Sequence, residues 1–87
     1  MKKIDKKALK QQSHALKPVV MTGTNGLTPA VQQEIDQALQ AHELIKIKLV
    51  ADREERQAMT KIIIEAQGAE LINQIGQMIV IYRERKE

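Results

Sequence analysis

The residue types that this 87-residue sequence lacks exclude several classes of function. It has no cysteine, so it can form no disulfide framework, thiolate nucleophile or cysteine-based zinc site. It has no phenylalanine or tryptophan, and Tyr82 is its one aromatic residue. Surfaces that stack nucleobases on several aromatic rings are therefore not expected. If the chain binds a nucleic acid, we expect it to recognise mostly backbone and shape.

Long apolar runs are missing as well. No run approaches the roughly 18 apolar residues that a membrane-spanning helix needs. The lysine-rich N-terminus has no apolar segment of the kind that follows it in a secretory signal. We therefore expect a cytoplasmic protein that makes no contact with a membrane.

The length and composition predict one folded domain, residues 1–87. With 43% hydrophobic and 29% charged residues, the chain has the composition of an ordinary globular protein. A domain of this size buries only about 60 to 65% of the surface of its unfolded chain, so nearly every periodic apolar position must serve the core. Little room is left for a deep active site.

Positive charge is concentrated at the N-terminal end. Residues 1–17 contain one acidic residue, Asp5, and six lysines: Lys2, Lys3, Lys6, Lys7, Lys10 and Lys17. The remaining residues hold more acidic than basic side chains. A protein with one basic end favours a polyanionic partner on that side. From charge alone, a solvated lysine face that only keeps the protein soluble is an equally good explanation.

The stretch from residue 17 to residue 29, K-P-V-V-M-T-G-T-N-G-L-T-P, is the strongest candidate for a site. Pro18 ends a helix and precedes a short strand, and Thr28 followed by Pro29 is a typical helix start. Between them, Gly23 and Gly26 bracket a tight loop that would let a phosphate approach the backbone. Asn25 tolerates a positive φ and offers an amide group. The alternative is an ordinary turn between a strand and a helix, because turns prefer the same residues.

Hydrophobic periodicity predicts three helices and four strands. The helices are residues 4–16, 29–42 and 52–67; the strands are residues 19–21, 44–51, 70–75 and 78–83. Right-handed crossovers would place the second and third helices on one face of a four-stranded mixed sheet, with three parallel strands and an antiparallel last one. The predicted fold is an α/β (α+β) two-layer sandwich with an additional N-terminal helix. Residues 84–87 are expected to be frayed.

No catalytic or metal-binding pattern is present in the sequence. The glycine loop is shorter than G-x-x-x-x-G-K-[ST] and lacks the Lys-Ser/Thr ending of that nucleotide-binding motif. No paired carboxylates and no nucleophile with a neighbouring base stand out, and neither histidine has acidic residues at metal-ligand spacing. We therefore expect neither an enzyme nor a cofactor.

Four runs of sequence together resemble a known family. They are H-A-L-K-P-V-V at 14–20, G-T-N-G-L-T at 23–28, H-E-L-I-K-I-K at 42–48 and I-G-Q-M-I-V-I-Y-R at 75–83. In order and spacing, these runs are similar to the single-domain YhbY proteins of bacteria. Those proteins are the stand-alone form of the CRM domain, which is named for chloroplast RNA splicing and ribosome maturation.

The resemblance implies a fold, a site and a partner. The fold would be similar to the C-terminal domain of translation initiation factor three, with the fourth strand between the second and the third. The RNA contact of the family is a GxxG loop, which maps here onto Gly23, Thr24, Asn25 and Gly26. The partner would be ribosomal RNA in precursors of the large ribosomal subunit, bound by an assembly factor. Many relatives carry a basic residue where this chain has Thr24, so positive charge would have to come from outside the loop.

The candidate RNA-binding residues outside the loop are all basic: Lys6, Lys7, Lys10, His14, Lys17 and Arg83. Arg83 would join them only if the last strand ends near the loop. The chain is expected to be a monomer. An alternative function is that of a small adaptor whose exposed strand face contacts a ribosomal protein or another assembly factor.

Overall fold

Each of the three helices begins where a side chain can accept a hydrogen bond from the first turn. The computed structural model describes residues 5–23 and 25–85. The Asp5 carboxylate accepts from the Ala8 N–H at 3.2 Å, and the Asp52 carboxylate accepts from the Glu55 N–H at 2.8 Å. The Thr28 hydroxyl has the same role in the second helix. The helices are α1 (Lys6–Ser13), α2 (Pro29–His42) and α3 (Arg53–Gln67).

Helix α1 is shorter than the sequence pattern predicts. It ends at Ser13, whose hydroxyl donates to the Lys10 carbonyl and whose side chain is buried. After it, the N–H groups of Ala15 and Leu16 donate to carbonyls three residues back, so the chain continues as tight turns. The predicted bounds of α2 agree with the structure, and α3 begins one residue later, after the cap Asp52. The left-handed Gly68 ends α3, as a glycine after a helix often does.

The four strands form one mixed sheet in the order β1-β2-β4-β3. Their bounds are β1 (Pro18–Met21), β2 (Leu44–Lys48), β3 (Glu70–Ile75) and β4 (Met78–Tyr82). Strand β1 is parallel to β2, and β4 is antiparallel to both of its neighbours, so β1, β2 and β3 run in one direction. The predicted fold class is confirmed, including the position of β4 between β2 and β3.

One face of the sheet, the core face, carries the hydrophobic core. Ile45 and Ile47 of β2 and Ile79 and Ile81 of β4 alternate along their strands and are fully buried. Three side chains of α2 and α3 complete the same cluster: Ile35, Leu39 and Ile63. Both helices therefore lie on one face, as the crossover rule predicts.

Helix α1 lies on the opposite face, which we call the α1 face. The Asn73 amide of β3 donates to the Ser13 hydroxyl of α1 at 3.3 Å, and Asn73 is in register with Val80 of β4. Val80 alternates with the core residues Ile79 and Ile81, so it points away from the core. It is nevertheless only 2% exposed. Helix α1 therefore adds a partial third layer to the two predicted ones.

The two ends of the sheet can be defined by paired residues. At the loop end β1 and β2 finish and β4 starts, with Met21, Lys48 and Met78 side by side. At the far end β2 and β3 start and β4 finishes, with Leu44, Glu70 and Tyr82 side by side. Antiparallel pairing of β4 thus carries the chain away from the loop end before it reaches residue 83.

The C-terminal residues are tied to the far end as far as the structure describes them. The backbone N–H of Arg85 donates to the Glu43 carboxylate at 2.9 Å. Arg85 therefore has a specific contact, although it falls within the end predicted to fray; residues 86 and 87 lie outside the described residues. Within the described chain, no helix is long and apolar enough to cross a membrane.

Candidate nucleic-acid interface

The glycine loop is anchored to the end of β2. Thr22 is fully buried, and its backbone N–H donates to the Lys48 carbonyl at 3.0 Å. Its hydroxyl accepts from the Val50 N–H at 3.0 Å. These two bonds fix the position at which the chain leaves the sheet, so that the loop starts from a rigid base.

The loop itself is closed by short backbone hydrogen bonds. The Gly26 N–H donates to the Gly23 carbonyl, and the Thr28 N–H donates to the Gly26 carbonyl, both at 3.1 Å. Asn25 is exposed between the two glycines. The positive φ, 70°, belongs to Gly26 and not to Asn25, whose tolerance for that conformation is not used. Thr24, the remaining predicted loop residue, lies outside the described residues.

The fold requires glycine at only one of the two loop positions. Gly26 needs the freedom of glycine because its φ is +70°. Gly23 lies outside that left-handed region, and a Cβ atom on it would meet no protein atom within 4 Å. The fold therefore does not require glycine at position 23. A side chain there would occupy only the space above the loop.

The loop leads directly into the start of α2. The Thr28 hydroxyl accepts from the Val31 N–H at 3.2 Å, and Pro29 is the first helical residue, as the sequence predicts. The 14-residue helix directs the positive end of its dipole toward the loop. The start of a helix is thus placed beside Gly23 and Gly26.

The predicted basic residues of the N-terminal segment lie on α1 and in the stretch between α1 and β1, outside the loop. Lys17 is exposed directly before β1, while Lys7, Lys10 and His14 are exposed along α1. Lys6 lies at the far end, because it forms an ion pair with Glu70 there, with a distance of 3.6 Å between its ammonium nitrogen and the carboxylate. Lys17 precedes Pro18, which pairs with Lys46 in the middle of the sheet, so the length of β1 separates Lys17 from the loop.

Two further lysines join this surface, and sequence reasoning did not select them. Lys46 and Lys48 of β2 are half-buried on the α1 face, in register with Pro18 and Met21 of β1. Lys48 lies at the loop end, and Lys46 lies in the middle of the sheet. Among residues 5–23 and 25–85, no ion pair involves Lys46 or Lys48. The alternation of lysine with isoleucine in I-K-I-K was the available signal, but it did not reveal which strands lie beside β2.

Arg83 is not brought to the loop. Its guanidinium forms an ion pair with the Asp36 carboxylate at 2.9 Å and donates to the Asp36 carbonyl at 3.2 Å. It also donates to the backbone and side-chain oxygens of Gln67, both at 3.2 Å. The condition for including Arg83, that the last strand ends near the loop, is therefore not met. Arg83 ties α2, α3 and β4 together at the far end.

A broad cleft of about 870 Å³ also lies at the far end. Arg83 and Arg85 line it together with three carboxylate residues, Asp36, Glu70 and Glu84. Both arginines are paired with acids, Arg83 with Asp36 and Arg85 with Glu43. A mixed and internally paired lining gives a polyanion little attraction, so the size of this cleft does not make it the better candidate.

The fold and the loop define a small α+β domain with a glycine loop at a helix start. The family model of the CRS1 / YhbY (CRM) domain matches residues 1–83. The chain therefore belongs to the CRS1 / YhbY (CRM) domain family.

Relatives of known sequence carry names that agree with this family. An RNA-binding protein of Haemophilus influenzae is 46% identical over 83 residues, which are 94% of this chain and 84% of the relative. A probable RNA-binding protein of Pseudomonas aeruginosa is 41% identical over 80 residues, 91% of this chain and 77% of the relative.

A solved structure has the same fold. It is the solution structure of a hypothetical protein of Staphylococcus aureus, described as a candidate RNA-binding protein. The two chains superpose with a TM-score of 0.82 at 34% sequence identity, over 94% of this chain and 86% of the other.

Proposed function

We propose that this protein is a non-enzymatic RNA-binding protein that binds ribosomal RNA in precursors of the large ribosomal subunit and acts as an assembly factor. The RNA contact would consist of the GxxG loop, the exposed basic residues of the N-terminal segment, and Lys46 and Lys48. The names of the relatives support RNA as the partner. The ribosomal part of the proposal rests on the family resemblance of the sequence.

The observation that carries the proposal is the unexplained glycine at position 23. Packing does not require it, because a Cβ atom there would meet no protein atom within 4 Å, and its φ is not left-handed. A partner that must approach the backbone closely does require it. Phosphate groups are bound in this way at glycine loops and helix N-termini, where N–H groups and the helix dipole favour an anion.

The loop and the lysines would have different roles. The loop offers backbone donors and shape but no charge, since Thr24 stands where a basic residue would add one. The neighbouring lysines would supply the electrostatic attraction to phosphates, which depends little on sequence and strongly on salt. In this arrangement the loop positions the RNA, and the lysines provide most of the affinity.

The loop can be tested with Gly23→Asp and a matched control, Gln37→Glu. Both changes add one negative charge, but Gln37 is exposed on α2, whereas Gly23 is in the loop. We expect Gly23→Asp to weaken binding of a ribosomal RNA fragment at least about tenfold, because a carboxylate would occupy the phosphate site. Gln37→Glu should bind like the parent in the same fluorescence anisotropy titration. Equal affinities for all three proteins would show that the loop is not the contact.

The identity of the RNA needs a separate experiment. Ultraviolet crosslinking in cells, followed by sequencing of the bound RNA, should recover segments of large-subunit ribosomal RNA, with enrichment in precursor particles. Recovery of messenger or transfer RNA instead would support RNA binding but would contradict the proposed role in ribosome assembly. A cytoplasmic location, a monomeric state and the absence of catalysis are parts of the same proposal.

An adaptor function predicts a different result in pull-down experiments. If a ribosomal protein or another assembly factor binds the exposed strand face directly, its capture by this protein should survive treatment with ribonuclease. If RNA mediates the association, as we propose, the captured ribosomal proteins should disappear with the RNA.

A further inference from the structure

The sheet exposes an apolar row beside the loop. At the loop end of the α1 face, one residue of each strand lies in register: Met21, Lys48, Met78 and Ile75. We call Met21, Met78 and Ile75 the apolar row, with Lys48 between its first two members. Met21 precedes Gly23 by two residues, so the row begins where the glycine loop leaves the sheet.

Helix α1 does not cover this row. It contacts the far end through Lys6 and Glu70 and the middle of the sheet through Ser13 and Asn73. Along β4, exposure changes accordingly: Tyr82 and Val80 are buried, while Met78 is half-buried. At the two edges of the row, Met21 is 60% exposed and Ile75 is 56% exposed. The row thus leaves two apolar side chains exposed and a third, Met78, half-buried between them.

The surroundings of the row are cationic. Neither the row itself nor the next set of paired residues toward the far end contains an acidic side chain; that set is Pro18, Lys46, Val80 and Asn73. Lys48 and Lys46 belong to these two sets, and exposed Lys17 directly precedes Pro18. The row therefore combines an apolar surface with positive charge, next to the loop that we assign to phosphate groups.

We propose that the apolar row receives unpaired nucleobases of the RNA whose backbone lies on the GxxG loop. This inference rests on the proposed function and specifies its substrate class, which is RNA with an unpaired stretch and not continuous duplex. Bases of nucleotides held by their backbone are free to turn toward the neighbouring surface only if they are unpaired. The flexible, polarisable thioethers of Met21 and Met78 make favourable contacts with aromatic rings. No aromatic side chain is needed for such a contact.

The dimensions and charge favour nucleobases over a protein partner. Four adjacent strands make the row about 14 Å long, and it is one residue wide. Its area is therefore far smaller than the roughly 800 Å² per partner that a stable protein interface buries. Lysine is depleted at protein interfaces, yet Lys48 lies within the row. A nucleotide matches both parts of the surface, because its base is apolar on its faces and its phosphate is negative.

The test compares two RNA probes and three proteins. The probes are a short single-stranded RNA of mixed sequence and the same RNA with its central nucleotides made abasic, which preserves every phosphate. The proteins are the parent, the double variant Met21→Ser with Ile75→Ser, and the control Ile62→Ser. Ile62 is 51% exposed on α3, which packs on the core face. Dissociation constants are measured by fluorescence anisotropy at one salt concentration.

We expect the parent and Ile62→Ser to bind the base-bearing RNA about tenfold more tightly than the abasic RNA, from burial of apolar surface. In the double variant this ratio should fall to about twofold, while binding of the abasic RNA stays at the parent level. The substituted side chains are exposed, so the fold should persist; circular dichroism checks this. If the double variant nevertheless unfolds, the single change Ile75→Thr should lower the ratio by a smaller factor.

Four results would overturn the inference, and they differ in whether the proposed RNA-binding function is also contradicted. Equal binding of both probes by the parent would remove the base contact but keep the RNA-binding function. An equal loss of affinity for both probes in the double variant would show that the row contacts the RNA backbone and not the bases. If the parent sediments as a dimer and the double variant as a monomer in analytical ultracentrifugation, the row is an interface with a second copy of the protein. Failure of the parent to bind either probe would refute the proposed function itself.

Discussion

The two ends of the sheet use their charged residues differently. At the far end, each of three cations has an acidic partner: Arg83 with Asp36, Arg85 with Glu43 and Lys6 with Glu70. From the middle of the sheet to the loop end, Lys46 and Lys48 lie on the α1 face with no acid in the paired residues beside them. The loop end also carries the exposed apolar row and a glycine that packing does not require.

This difference separates residues that hold the fold from residues available to a ligand. Arg83 joins α2, α3 and β4 through bonds to Asp36 and Gln67, so its charge is already satisfied within the protein. A phosphate would have to compete with Asp36 for it. Lys46 and Lys48 have no such competitor in the paired strands, so we expect RNA affinity to depend on them. The predictions below follow this division, from the largest expected effect to the smallest.

The largest effect should come from removing three positive charges from the surface that we assign to RNA. Changing Lys10, Lys17 and Lys48 together to alanine should weaken RNA binding about a hundredfold near physiological salt, because each lost phosphate contact removes roughly a fivefold counterion-release contribution. The slope of log affinity against log salt should become shallower by about two to three. Anisotropy titrations over a salt series measure both quantities. An unchanged slope would mean that these lysines do not contact phosphates.

Removing the charge of Arg83 at the far end should lower stability and leave RNA affinity almost unchanged. We expect Arg83→Met to lower the free energy of unfolding by about 2 kcal/mol, since it leaves the half-buried oxygens of Asp36 and Gln67 without their charged donor. Urea unfolding measures this loss. RNA affinity should stay within about twofold of the parent, after allowance for one lost charge. A tenfold or larger loss of RNA affinity in folded protein would return Arg83 to the binding surface.

The two loop glycines should respond differently to alanine. Gly26→Ala should destabilise the protein by about 1 kcal/mol, because its φ of +70° is unfavourable for a side chain. Gly23→Ala should change stability by less than about 0.5 kcal/mol yet weaken RNA binding several-fold. Thermal or urea unfolding and RNA titration of both variants provide the comparison. If Gly23→Ala destabilises as much as Gly26→Ala, the glycine at 23 serves the fold.

The smallest effect should come from Lys6. Its ion pair with Glu70 is exposed and lies at the far end, so Lys6→Ala should change stability by less than about 1 kcal/mol. The same change should reduce RNA affinity about twofold or less, clearly less than Lys48→Ala at the loop end. Titration of the two single variants under identical conditions tests whether the RNA contact excludes the far end of α1. Equal losses would show that the RNA extends over the whole helix.

Much of the fold follows from local patterns in the sequence. Asp5, Thr28 and Asp52 cap the three helices through hydrogen bonds to the N–H three residues ahead, and Gly68 ends α3 in the left-handed region. Alternation over residues 44–51 correctly assigns Ile45, Ile47 and Leu49 to the core, although β2 itself ends at Lys48. These features were predictable because each depends on residues close together in the chain.

The placement of charge could not be predicted in the same way. The antiparallel direction of β4 was predicted, but the partner of Arg83 was not, because Asp36 is 47 residues away in the sequence. The contribution of Lys46 and Lys48 depends on β1 and β4 lying on either side of β2. The apolar row exists because α1 ends at Ser13 and covers only part of its face, which no local pattern encodes.

The most direct test of the central claim is a map of the RNA contact on the isotope-labelled protein by nuclear magnetic resonance. Backbone amide shifts are followed while a fragment of large-subunit ribosomal RNA is added. We expect the largest shifts at the loop end, at Met21, Gly23, Asn25, Gly26 and Lys48, and little change around Gln67 and Arg83. The largest shifts at Gln67, Arg83 and Arg85, with a silent glycine loop, would contradict the assignment of the RNA surface to the loop end.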